Sequence, residues 1–555
     1  MSHSNNIMSR GGSARRALVA LAALACLAGA TASASTPGIT ANPGGASTFN
    51  LVANQGLSSQ PDGVQIYSWG YGCVASTAKA TFVPAAFNSG IGFCPTMQLP
   101  GPTLIVNEGA TVTVTLTNNL PRGAGNTSIV FAGIPTTAAG GTPGLLAMEA
   151  IPNGSVTYTL NTTGKAGTHA YYSGTQPDLQ IEMGMYGAIV VIPSTVQAGC
   201  VALGARLGGG EEFRLAANAY DHPATCYDRE YLFQFGEIDS RIHAQAEAQV
   251  KAIAACTGAT NTITGQPCPT QLFVATEPYH PAYYVINGRS MPDDMDADYA
   301  PNYPAQPYNG NPHMHPLDQV LLRTIGQGRW EHPFHEHANH VRILARDGNL
   351  ILAQNTVGTE TIPRLAGLMM FTTDTFPGQS FDGIFYWSGK GLNWDIYGHT
   401  PSSAASTATC VPDANGFYTA ASGAAAPTFD AAHNFVSGAK NYGEWCADHN
   451  HPLEAAPVGQ VAAGGPATLP DPLVATNGLW YNGTPYLGPD AVNRSRGPTP
   501  LPVGGALQNP PLESGIAFMW HSHNEREITT DNVFPGGMLM MMLVDPPVWY
   551  IDETL

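Results

Sequence analysis

Hydrophobic and polar residues alternate with period two at several points along this chain. Thr111-Val112-Thr113-Val114-Thr115-Leu116 sets apolar residues on one face and threonines on the other, and Ser155-Val156-Thr157-Tyr158-Thr159-Leu160 repeats the pattern. Successive side chains of a strand point to opposite faces, so such alternation predicts half-buried strands of an antiparallel sheet. Ala188 to Ile192 is a short apolar run bounded by turn residues, and residues 61–195 are predicted to form one β-sandwich. A second β region, 231–555, is predicted from Tyr231–Phe235, Tyr283–Ile286, Val320–Ile325, Val341–Leu344, Gly383–Trp387, Ala517–Trp520 and Met538–Val544. The clear helical stretch is His243 to Ala255, rich in Ala, Gln and Glu. Three segments lack either period: 35–60 is expected as a flexible arm, 196–230 as a connector, and about 400–512 as a loop insertion rich in Ala, Gly, Pro, Thr and Asn.

The first 34 residues differ in kind. Arg10, Arg15 and Arg16 precede an apolar run, Ala17 to Ala30, that is short for a bilayer span, and Ala32-Ser33-Ala34 offers a small-residue cleavage site. This predicts a signal peptide and an exported protein, periplasmic or extracellular, with no integral membrane span. Beyond Cys26 the chain holds Cys73, Cys94, Cys200, Cys226, Cys256, Cys268, Cys410 and Cys446, an even set that suits disulfides in an exported chain. Pairing of neighbours in sequence is one of many arrangements the eight allow. The net charge of −18 leaves no basic footprint for a nucleic acid.

Histidine carries the chemical signal. One group reads Trp330-Glu331-His332-Pro333-Phe334-His335-Glu336-His337, the other Met519-Trp520-His521-Ser522-His523-Asn524-Glu525-Arg526-Glu527. On strands, His335 shares a face with His337, and His521 with His523. If the two strands are neighbours, four imidazoles converge, and imidazole is a favoured ligand for copper, zinc, iron and nickel. Glu525 and Glu527 are candidates for an added oxygen ligand or a general base. His313-Met314-His315, His449-Asn450-His451 and the cluster Asp293, Asp294, Asp296 and Asp298 are read by default as loop and turn residues.

His332-Pro333-Phe334-His335-Glu336-His337 resembles the His-Pro-x-His-x-His motif of multicopper oxidases, and His521-Ser522-His523 resembles their His-Cys-His motif. Leu99-Pro100-Gly101-Pro102-Thr103-Leu104 with Asn107-Glu108-Gly109, Val285-Ile286-Asn287-Gly288-Arg289 and Gly536-Gly537-Met538 fit the same family. The resemblance implies an all-β fold of tandem cupredoxin-like Greek-key sandwiches and copper as cofactor, with zinc as the alternative. It also marks departures. Ser522 stands where the family's type 1 copper has its Cys, and Glu527 stands at the offset of that copper's second His. Of that trio only His332 remains, with Met538 as a displaced axial candidate. Val130, Ala132, Tyr172 and Gly174 occupy places where the resemblance implies cluster His residues, and His169 lies near them.

Two functions follow. One is an exported copper-binding, oxidoreductase-like protein with an incomplete copper set and no laccase-type oxygen reduction. The other is a non-catalytic metal-binding or structural cupredoxin protein. A zinc hydrolase using the same His with a nearby Glu is a third idea. The expected partner is a metal ion, held by His335, His337, His521 and His523, with His332 as a further candidate. A homo-oligomer would be the route by which absent ligands arrive from another chain.

Overall fold

The computed structural model describes residues 36–42, 47–74, 80–201, 214–256, 258–261, 264–390, 411–430, 434–447 and 515–551, and the backbone of Thr484–Tyr486. The expected leader, Cys410, His449-Asn450-His451 and most of the expected insertion lie outside these residues.

The period-two segments form strands. Thr111–Asn118 and Ser155–Asn161 pair antiparallel, with their apolar residues buried and their threonines facing out. They join Thr48–Ser59, Gln65–Cys73 and Thr136–Gly140 in one sheet. The facing sheet runs in the order Thr81–Val83, Gly38–Ala41, Leu104–Asn107, Tyr186–Ile192, Gly167–Tyr172, Val130–Phe131. Val112, Val114, Leu116, Val156, Tyr158 and Leu160 from the first sheet meet Leu104, Val106, Ile189 and Val191 from the second in a dry core. The arm expected over 35–60 is instead two strands, Gly38–Ala41 and Thr48–Ser59. Its polar composition hides Phe49, Leu51 and Ala53, which are fully buried, and the long pairing with Gln65–Cys73 supplies the backbone partners.

A second sandwich follows. One sheet is ordered Tyr283–Ile286, Arg229–Ile238, Gln319–Gly326, Ser380–Tyr386, Val341–Arg346, Asn349–Leu350. The other is ordered His313–Met314, Leu539–Val544, Gly515–Ser522, His332–Glu336, Thr372–Thr375. Phe233, Phe235, Leu322, Phe334, Phe385, Trp520, Met540 and Met542 fill the space between them. The fold is all-β, two sandwiches in tandem.

The helix spans Ser240–Ala255, three residues longer at its start than the sequence predicts, because Asp239 caps it by accepting from the Arg241 N–H at 3.1 Å. Its apolar stripe, Ile242, Ala246, Val250 and Ile253, belongs to the core of the first sandwich although it lies beyond that sandwich in sequence. Disulfides Cys73–Cys94, Cys200–Cys226 and Cys256–Cys268 join neighbours in sequence.

Candidate metal centre

The two histidine motifs become neighbours through register. His332–Glu336 pairs antiparallel with Gly515–Ser522, and the partners are Phe334 with Ser522, His335 with His521, and Glu336 with Trp520. Residues directly opposite share a face, so the His335 and His521 rings meet. His337, just past its strand end, is fixed by its N–H to the Met519 carbonyl at 3.3 Å and by the Trp520 indole N–H, which donates to the His337 carbonyl at 3.1 Å.

Three rings form a compact group. Ligand atoms of His335, His337 and His521 all lie within 4.8 Å of one another, and all three residues are buried. Among the described residues this is the only such group of His, Cys, Asp and Glu. Nε2 of His521 is 3.3 Å from Nε2 of His337. His521 Nδ1 is 2.7 Å from the Ser522 carbonyl, which can only accept, so that nitrogen carries the proton and Nε2 presents its lone pair to the centre. His335 Nδ1 is held 2.6 Å from the Thr372 hydroxyl. His523 stands at the rim: its ring is 4.7 Å from that of His335, its side chain is 50% exposed, and its Nδ1 is 3.2 Å from Glu525.

Burial, then the neighbouring His521 and His523, pushes His335 down to about 4; burial and the same kind of neighbours do so for His337, also to about 4. Burial also lowers His521. The rings are therefore neutral at ordinary pH, the state in which imidazole binds a metal. A buried, all-nitrogen donor set with ring nitrogens turned inward fits copper.

The structure does not bring His332 into this group. Both of its ring nitrogens are taken by carboxylates, Nδ1 by Glu527 at 2.9 Å and Nε2 by Glu237 at 3.0 Å. Glu527 is buried and also accepts from the Ser522 hydroxyl and the Asn524 amide, while Glu525 is exposed at the rim. His169 is hydrogen-bonded through Nε2 to the Lys165 carbonyl at 2.9 Å and is packed against Gly348, apart from the group. His313 pairs with Asp545 at 2.8 Å. Met538 is a core residue. Arg289 lies amid the backbone carbonyls of Asp293, Asp296 and Ala297, so a cation already occupies the middle of that acidic turn.

Glu237 and Trp520 are the site-shaping residues that the sequence did not reveal. Both sit in strands whose neighbours are nearly all buried, where neither spacing nor composition marks a polar role.

A family model described as multicopper oxidase matches residues 93–195. Laccase-24 of Oryza sativa subsp. japonica is 33% identical over 297 residues, 49% of this chain and 40% of that protein. The chain thus covers less than half of that relative's length. A solved multicopper oxidase, mgLAC, is similar over 91% of this chain and 87% of its own, at 13% identity and a TM-score of 0.41. The blue copper oxidase from Nitrosomonas europaea is similar over 89% and 85%, at 13% and 0.41. Residues 93–195 thus resemble the multicopper oxidase family, whose name implies copper.

Proposed function

We propose that this is an exported copper-binding protein of oxidoreductase type whose copper set is incomplete, and that it does not carry out laccase-type reduction of oxygen. The observation that supports the reading best is the meeting of His335, His337 and His521 within 4.8 Å. His523 adds a fourth, solvent-facing nitrogen. Copper bound there would supply one-electron redox chemistry. The chain's own residues would orient the rings through Thr372, the Ser522 carbonyl and Trp520, exclude water from the inner three, and leave Glu525 at the rim to accept a proton from His523 or from a bound molecule. The disulfides and the arginine-led apolar N-terminus support export.

The surroundings of Ser522 favour a second reading, a metal-binding protein without turnover. A hydroxyl cannot supply the thiolate of a blue-copper site, and Glu527 and Glu237 engage the one remaining His of that trio. Metal analysis of protein purified from its native compartment tests the centre. Wild type is expected to carry copper, and His335→Ala and His337→Ala to lose most of it. Retention of full copper by both variants would remove the centre. Phenol-dependent oxygen uptake together with an intense thiolate-like visible band would overturn the claim that oxygen reduction is absent.

A further inference from the structure

Glu527 and Glu237 arrive from different parts of the second sandwich and close on one imidazole. Glu237 comes from the strand Arg229–Ile238, Glu527 from the turn Glu525–Ile528, and His332 from the strand that carries His335. The His332 side chain is 0% exposed, and the two carboxylates are 0% and 1% exposed. Burying even one unpaired charge costs several kcal/mol, so the arrangement stands because each polar atom has a partner. The partners are specific. Oε2 of Glu527 lies 2.9 Å from His332 Nδ1 and 2.5 Å from Ser522 Oγ. Oε1 of Glu237 accepts from the backbone N–H of Arg329 at 2.7 Å and of Trp330 at 2.9 Å, while its Oε2 faces His332 Nε2 at 3.0 Å. Tyr279 extends the chain: its hydroxyl lies 3.0 Å from Glu237 and 2.6 Å from Glu182. Glu182 in turn accepts from the Asp239 N–H at 2.7 Å, at the cap of the helix that packs on the first sandwich.

One oxygen, Glu527 Oε2, thus contacts both His332 Nδ1 and Ser522 Oγ. An ion joining those two side chains would have to take its place. Ser522 lies between His521 and His523, and His332 lies three residues before His335 on the same strand, so the contact ties the two histidine-bearing strands together beside the proposed centre.

We infer that Glu237, His332, Glu527 and Ser522 form a metal-free clasp, in which an imidazole donating from both nitrogens to two carboxylates replaces a metal ion as the cross-link that positions the histidine cluster. The four are positioning residues: they hold the strands and do not touch the proposed ion. The raised pKa of His332 agrees with a ring that keeps both protons. This inference rests on the metal centre proposed above, and its test separates the two.

In the full chain labelled with ¹⁵N-histidine, both ring nitrogens of His332, assigned by comparison with His332→Gln, are expected to be protonated at neutral pH. A His332 with one bare nitrogen overturns the clasp, and this measurement needs no copper. Glu527→Gln is expected to fold, to keep the copper stoichiometry, to bind copper roughly tenfold to a hundredfold more weakly in competition with a chelator, and to shift the copper(II) electron paramagnetic resonance spectrum, with Glu527→Asp restoring part of the affinity. Affinity and spectrum identical to wild type would overturn the positioning role. If His335→Ala and His337→Ala both keep their copper, the centre fails while the His332 protonation result still stands. If Glu527→Gln does not fold, the ¹⁵N measurement on wild type decides.

Discussion

At residue scale, opposed forces act on single imidazoles, and their partners decide the outcome. Burial disfavours the charged form of His332, yet hydrogen bonds and charge from Glu237 and Glu527 outweigh it and raise its pKa to about 9. Burial acts alike on His335 and His337, but their neighbours are other imidazoles, so they go down instead. A histidine whose pKa is raised on folding from about 6.5 stabilises fully below that value, and the stabilisation is lost as pH rises through about 9. Urea unfolding of wild type is therefore expected to weaken between those two pH values, and His332→Gln to be less stable at neutral pH but flatter across the window. An equally steep loss in His332→Gln would assign the pH dependence to another group.

At element scale, the centre depends on the pairing of His332–Glu336 with Gly515–Ser522, and that pairing depends on packing behind it. Trp520 packs edge-on against Phe334 at 6.0 Å and Phe385 at 4.8 Å, and its N–H holds the His337 backbone. Trp520→Ala is expected to cost about 3–5 kcal/mol, read from denaturant unfolding, and to lose copper as well. Trp520→Phe should recover much of the stability but little of the copper affinity, because a phenyl ring has no N–H to place His337. The sequence pattern could locate these strands but not their register, since the two motifs lie about 180 residues apart. Chain-local alternation says which residues share a face, and only the ladder says which residues face each other.

At the scale of the whole molecule, the sandwiches are joined by a buried polar cluster. Asp382 accepts from the N–H and hydroxyl of Thr168 at 3.2 and 2.6 Å and from the Tyr220 hydroxyl. Arg323, itself buried, donates to Glu230 at 2.7 Å and to Thr168 at 3.1 Å. Thr168 belongs to the first sandwich, and Asp382 and Arg323 to the second. Asp382→Ala is expected to destabilise by about 3–5 kcal/mol, because it leaves buried partners without their acceptor. Calorimetry is expected to show one unfolding event in wild type and a broadened or split one in the variant, and an unchanged transition would locate the coupling elsewhere. Among the described residues no helix is long and apolar enough to cross a membrane.

Sequence alone determined the period-two strands, the all-β class and the close spacing within each of the two histidine pairs, because each of these depends on spacing within a few residues. It misjudged 35–60, where polar residues outnumber the few apolar ones that anchor two strands, and the start of the helix, which a cap sets. Tertiary structure decided that His335 sits opposite His521, that His332 turns to two carboxylates, and that Glu237 and Trp520 shape the site. Those outcomes depend on contacts between segments far apart in the chain, where burial and partner geometry set protonation and ligand state, and no local pattern encodes them.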